Sequence, residues 1–187
     1  MSSGRESGTQ VAIVGAGPAG AALAFLLARR GVEVTLVERH EDFAREFRGE
    51  VLLPGGLDAL DQLGVWDDFE RVEQVALERA ELYVGGRLRA RVDLASAGFG
   101  RLAPRWVSQP ALLEMLVARS AAFPSFRLAR GTTARALLEE GGRITGVRVR
   151  GPDGERELRA ALVVGADGRS SMVRRRGGLR ERVDPTP

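Results

Sequence analysis

Six residues, Gly15-Ala16-Gly17-Pro18-Ala19-Gly20, say more about this chain than any other segment. The run before them, Val11-Ala12-Ile13-Val14, is short, apolar and β-branched, and reads as a buried parallel strand. The run after them, Ala21–Arg30, is rich in alanine and leucine and reads as a helix closed by Gly31. Val32–Val37 is again β-branched and gives a second strand. Strand, tight turn, helix and strand within about thirty residues form a βαβ unit. In that setting each glycine has a separate task. Gly15 permits the tight turn, Gly17 lets the backbone come close to a diphosphate, and Gly20 lets the helix pack on the strands. The helix start at Pro18 and Ala19 offers N–H groups and a partial positive charge to the phosphates.

Glu38 ends the second strand, 18 positions after Gly20. A carboxylate there accepts hydrogen bonds from adenosine ribose hydroxyls and repels a 2′-phosphate. The expected ligand is therefore a dinucleotide without that phosphate. Composition narrows the chemistry further. There is no cysteine, so disulfides and thiolates are excluded, and the single histidine, His40, rules out a multi-histidine metal site. His40 reads as an exposed loop residue, and the hard chemistry falls to a bound cofactor. All 28 basic residues are arginine, set among 25 carboxylates for a net charge of +3, so no broad basic face and no nucleic-acid partner are expected. The cluster Arg174-Arg175-Arg176, with Arg180 and Arg182, reads as a solvated helix end. No apolar run is long enough for a membrane span, and the polar start lacks a secretory signal, so a cytoplasmic location is expected.

The rest of the chain predicts an α/β fold with a parallel sheet and antiparallel additions. After a charged loop at 38–50, Pro54–Leu63 reads as a helix with Leu57, Leu60 and Leu63 on one face, and Trp66–Gln74 as a second short helix. Arg79–Tyr83 and Arg87–Leu94 read as a hairpin turning at Gly85-Gly86. A loop at 95–104 precedes a helix over Gln109–Ala122. Phe126–Ala129 reads as a third parallel strand. Thr132–Leu138, Ile144–Val149 and Glu155–Arg159 form a three-stranded meander with turns at Gly141-Gly142 and Pro152-Asp153-Gly154. Ala161–Val164 is a further parallel strand leading into Asp167-Gly168, and Ser170–Arg176 starts a helix. Trp66, Tyr83 and Trp106 are assigned to core packing. A plain nicotinamide-binding domain continues with helix and strand soon after Glu38; the long insertion here sets this chain apart.

Four ordered motifs resemble the aromatic-ring hydroxylase family of flavin monooxygenases, typified by 4-hydroxybenzoate hydroxylase. They are Ile13–Gly20 with Leu36-Val37-Glu38-Arg39; Phe47-Arg48-Gly49-Glu50 with the leucine helix after it; Val107-Ser108-Gln109; and Val163-Val164-Gly165-Ala166-Asp167-Gly168-Arg169-Ser170-Ser171-Met172-Val173-Arg174. The resemblance implies a Rossmann-like FAD-binding domain over 11–178, with a substrate-side insertion at about 75–105, a flexible N-terminus at 1–10 and a polar tail at 179–187. It implies that FAD is held by Gly15, Ala16, Gly17, Pro18, Ala19, Gly20, Glu38, Arg39, Arg48, Gln109, Asp167 and Gly168. Arg39 belongs to the adenosine end, and Arg48 and Gln109 to the diphosphate or ribityl part. Asp167 serves FAD and nicotinamide alike or pins the turn after its strand. NADH or NADPH is implied as a transient co-substrate, with oxygen and an aromatic or related small molecule. The family also carries a later Gly-Asp segment and a sheet over the substrate. Neither is found in these residues, so the fold is expected to be incomplete C-terminally and inactive alone. A reductase or halogenase on the same fold, or a non-catalytic nucleotide-binding remnant, is the alternative reading.

Overall fold

A computed structural model describes residues 8–44 and 51–181. In chain order the elements are β1 (Thr9–Val14), α1 (Pro18–Arg29), β2 (Val34–Val37), β3 (Val51–Leu52), α2 (Pro54–Gln62), α3 (Trp66–Phe69), β4 (Gln74–Ala76), β5 (Arg79–Val84), β6 (Arg87–Asp93), β7 (Arg105–Val107), α4 (Gln109–Ala121), β8 (Phe126–Ala129), β9 (Thr133–Glu140), β10 (Arg143–Gly151), β11 (Gly154–Gly165) and α5 (Met172–Arg176). They form two compact units, one from Met1–Asp42 with Leu116–Pro187 and one from Phe43–Met115, so that α4 begins in the second and ends in the first.

The first unit is built on a six-stranded sheet in the order β8-β2-β1-β11-β10-β9. β8, β2, β1 and β11 run parallel, while β9, β10 and β11 form the antiparallel meander. The apolar sequence runs are the sheet core: Ala12, Ile13, Leu36 and Val147 are fully buried. α1 lays Gly20, Ala21, Ala24 and Ala28 inward, small residues that let a helix approach a sheet closely, together with Phe25. Phe25 meets Phe123 edge to face at 6.0 Å.

Sequence reasoning breaks the chain at Ala160, but the structure does not. The third meander strand and the last parallel strand are one twelve-residue strand, β11. It pairs with β10 through Gly154–Arg159 and with β1 from Ala160 to Gly165. Gly146, opposite Arg159, ends the β10–β11 pairing, and on its other side it sits at a register shift between β10 and β9. Turn signals mark chain reversals, and a strand that changes partners without reversing has none. β1 starts at Thr9, inside the segment expected to be flexible.

The second unit holds α2, α3 and two small antiparallel sheets, β3-β7-β4 and the hairpin β5-β6. Its core is Leu57, Leu60, Val65, Phe69, Val72 and Val107. The expected helix over Trp66–Gln74 stops at Phe69, and Gln74 is already in a strand. The three-stranded sheet has strands of two and three residues, too short for a period-two pattern to show. The hairpin is exposed along both strands, with Leu82 and Val92 outward. Tyr83 and Trp106 are therefore not core residues, at 55% and 41% exposure; only Trp66 packs inside.

Candidate functional site

The glycine turn is wedged between the C-terminal ends of β2 and β11. Gly15 donates its N–H to Val37 O at 2.8 Å, and Ala166 donates to Val14 O at 2.7 Å. Gly15 has φ +101, and a Cβ there would lie 2.5 Å from Ala166 O. A Cβ on Gly20 would overlap the Gly15 carbonyl oxygen. Gly17 differs: a Cβ on it would meet nothing within 4 Å. Two glycines are thus demanded by the protein's own packing, and the third leaves open space in front of the turn. α1 starts at Pro18 with no side-chain cap on Gly17 and no acidic residue in its first turn. The helix N-terminus keeps its positive end for an outside anion. The donor set and the open side at Gly17 fit a diphosphate.

Glu38 is 3% exposed at the end of β2. One carboxylate oxygen accepts the Ala16 N–H at 2.9 Å and the other accepts the His40 N–H at 3.1 Å. The carboxylate therefore ties the phosphate-type turn to the loop after β2. Ala16 is fully buried and directs its N–H to Glu38. Arg39 and His40 are exposed, and Arg39 donates from Nε to His40 Nε2 at 2.9 Å, which makes that ring nitrogen an acceptor.

Asp167 follows β11 and works locally. Its Oδ1 accepts the Ser171 hydroxyl at 2.5 Å and its Oδ2 accepts the Met172 N–H at 2.6 Å. Ser171 in turn accepts the Arg174 N–H at 2.9 Å. The pair caps α5, giving partners to N–H groups the helix leaves over. Gly168 takes φ +79 in the turn between. Gly165 is required as well: a Cβ there would lie 2.8 Å from Val173 Cβ.

The fold thus brings Gly15–Gly20, Glu38 and Asp167-Gly168 together, segments about 150 residues apart in sequence; a Cβ on Gly15 would sit 2.9 Å from Asp167 Cα. Gln109 opens α4 in the other unit, half-buried, its amide without a hydrogen bond among the described residues. Arg48 lies outside the described residues, as do Phe47, Gly49, Glu50 and the chain ends 1–7 and 182–187. Sequence reasoning placed Gly165, Ala166 and Ser171 in the motif around Asp167 but gave them no role of their own. Ser171, a serine just before the apolar Met172-Val173, was the one legible as a helix cap. Among the described residues no cluster of three metal-ligating side chains occurs, and no helix is long and apolar enough to cross a membrane.

Comparison with known proteins agrees with this geometry. Residues 8–185 match the family model described as FAD binding domain. The chain is 40% identical over 177 residues to 6-methylpretetramide 4-monooxygenase of Streptomyces rimosus, covering 91% of this chain and 41% of that protein. It superposes on a PqsL variant of Pseudomonas aeruginosa with a TM-score of 0.80 at 28% identity, covering 97% of this chain and 49% of that one. On p-nitrophenol 4-monooxygenase PnpA of Pseudomonas putida DLL-E4 the TM-score is 0.79 at 25% identity, covering 94% and 45%. The chain spans less than half the length of each of these relatives. Its cofactor is FAD, and the Streptomyces rimosus and Pseudomonas putida relatives are monooxygenases by name. The open-sided glycine turn, the buried glutamate beside it and the match across nearly the whole length lead to one assignment: this chain belongs to the FAD binding domain family.

Proposed function

We propose that the chain is the FAD-holding part of a monooxygenase that hydroxylates an aromatic or related small molecule, using NAD(P)H and oxygen. The observation that carries it is the contrast at the turn. Gly15 and Gly20 are closed in by backbone, while Gly17 faces open space at an uncapped helix start. When bound, FAD supplies the redox and oxygen-transfer chemistry. The residues of this chain bind and orient it. Gly17 and the first turn of α1 receive the diphosphate; Glu38 holds the turn in shape and faces the ribose; Arg39 lies toward the adenosine end. Arg48 and Gln109 take the diphosphate or ribityl part, and Asp167 with Gly168 fixes the turn beside Gly15. The absence of cysteine and the single histidine support a reaction carried by the cofactor, and a chain without disulfides suits a cytoplasmic protein.

The test is a titration of the purified chain with FAD, FMN and riboflavin, read by flavin fluorescence. FAD binding that exceeds FMN and riboflavin is expected, because only FAD carries both diphosphate and adenosine. Equal binding of all three would overturn the reading. In the longer protein, oxygen consumption that depends on substrate separates a hydroxylase from a reductase of the same fold.

A further inference from the structure

Beside Glu38 the first unit buries a hydroxyl that the site leaves unused. Thr132 lies between β8 and β9 and is 4% exposed. Its N–H donates to Glu38 O at 2.8 Å, and its Oγ1 donates to Arg130 O at 2.9 Å. Burial alone does not call for a hydroxyl there, because valine has the same shape and no polar group to take out of water. The hydroxyl therefore has a task that packing does not supply.

The turn around Thr132 grips the loop that carries Glu38. β2 and β8 pair as far as Val37 and Ala129, and their hydrogen bonds continue past the strand ends. Glu38 N donates to Ala129 O at 2.9 Å, and Gly131 N donates to His40 O at 3.1 Å. With the Thr132 N–H, this holds the backbone of Glu38 and of His40. Those two residues place the carboxylate, which accepts the His40 N–H on one oxygen and the Ala16 N–H on the other. The weak point of the turn is Gly131, at φ +59. Glycine has the most backbone freedom to lose, so its N–H is easily misdirected. The Thr132 hydroxyl closes the turn across Gly131 by bonding Arg130 O. The side chain is β-branched, with few rotamers, and it is packed against Gly151, where a Cβ would lie 3.1 Å from Oγ1. All of these residues belong to the first unit.

We infer that Thr132 is a positioning residue for Glu38: its hydroxyl locks the β8–β9 turn, which holds the backbone of Glu38 and His40 and so sets where the carboxylate meets the adenosine ribose of FAD. This rests on the reading that Glu38 faces the ribose. The experiment compares FAD with its 2′-deoxyadenosine analogue on the purified chain, read by flavin fluorescence, with urea unfolding as the check on the fold. The wild-type chain is expected to prefer FAD about tenfold, the worth of one hydroxyl-to-carboxylate bond. Thr132→Val keeps the shape and removes the hydroxyl. It is expected to fold, to bind FAD about fivefold more weakly and to lose most of that preference. Thr132→Ser keeps the hydroxyl and is expected to keep the preference. Gly131→Ala strains the same turn at its positive φ and is expected to lose the preference as Thr132→Val does. A merely structural role weakens both ligands by one factor and leaves their ratio as in the wild type. An unchanged ratio in folded Thr132→Val, or in Gly131→Ala if the valine variant does not fold, overturns the inference alone. Equal affinity of the wild-type chain for the two ligands overturns it together with the assignment of Glu38 to the ribose, while the glycine-turn reading stands on its own titration.

Discussion

Glycines of one motif serve different masters, and single substitutions should separate them. Gly20→Ala forces a methyl into the Gly15 carbonyl, a backbone atom that cannot swing aside, and is expected to cost several kcal/mol or to prevent folding. Gly17→Ala meets no protein atom and has an extended conformation open to alanine, φ −68 and ψ 179. It is expected to fold with a loss of about 1 kcal/mol or less from the helix start, yet to bind FAD at least about tenfold more weakly because the methyl occupies the diphosphate's approach. Urea unfolding and FAD titration on both variants check this. Glu38 is a second residue whose role is double. Glu38→Gln places an NH2 group where an N–H now donates, at Ala16 or at His40. A stability loss of about 2 kcal/mol is expected, with weakened FAD binding, from one charge-assisted hydrogen bond replaced by a donor facing a donor. Unchanged unfolding in this variant would contradict the claim that the carboxylate holds the turn.

Among the elements, β11 carries a parallel and an antiparallel pairing in one strand. Its passage from antiparallel to parallel neighbours depends on Gly146, where a Cβ would overlap Leu158 O and approach Arg159 Cα at 3.0 Å. Gly146→Ala is expected to destabilise the first unit by roughly 2–4 kcal/mol, the size of other backbone-strain and overpacking effects. Because β11 delivers Ala166 and Asp167 to the glycine turn, FAD binding is expected to fall with it. Hydrogen exchange should show the loss along β10 and β11 first; a change confined to the second unit would argue against this coupling.

Over the whole molecule, apolar side chains remain in water where a folded domain ordinarily covers them. Leu162 and Leu179 in the first unit and Leu82 and Val92 in the second are each about half exposed or more, at 56%, 66%, 58% and 49%. Groups of this kind drive association. The purified chain is expected to self-associate as concentration rises, measured by sedimentation. Leu82→Thr with Val92→Thr should reduce this while changing stability by about 0.5 kcal/mol or less, since threonine keeps the strand preference at an exposed site. Association unaffected by the double change would place the cause elsewhere.

Local chemistry along the chain was enough to specify the βαβ opening, the packing roles of Gly15 and Gly20 in the turn, the hairpin and the parallel strand before Asp167. Each of these is encoded by neighbouring residues: β-branched runs, glycine where φ must be positive, a carboxylate at a strand end. What needed three dimensions was everything set by partners far away in sequence. The continuity of β11 is decided by which strand lies beside it. The three-stranded sheet β3-β7-β4 has too few residues per strand to leave a pattern. Arg105 looked like one arginine among 28 until folding set it on Trp66. Tyr83 and Trp106 are apolar enough for a core, and only the packing shows that no core reaches them, because burial is a property of neighbours and not of the residue.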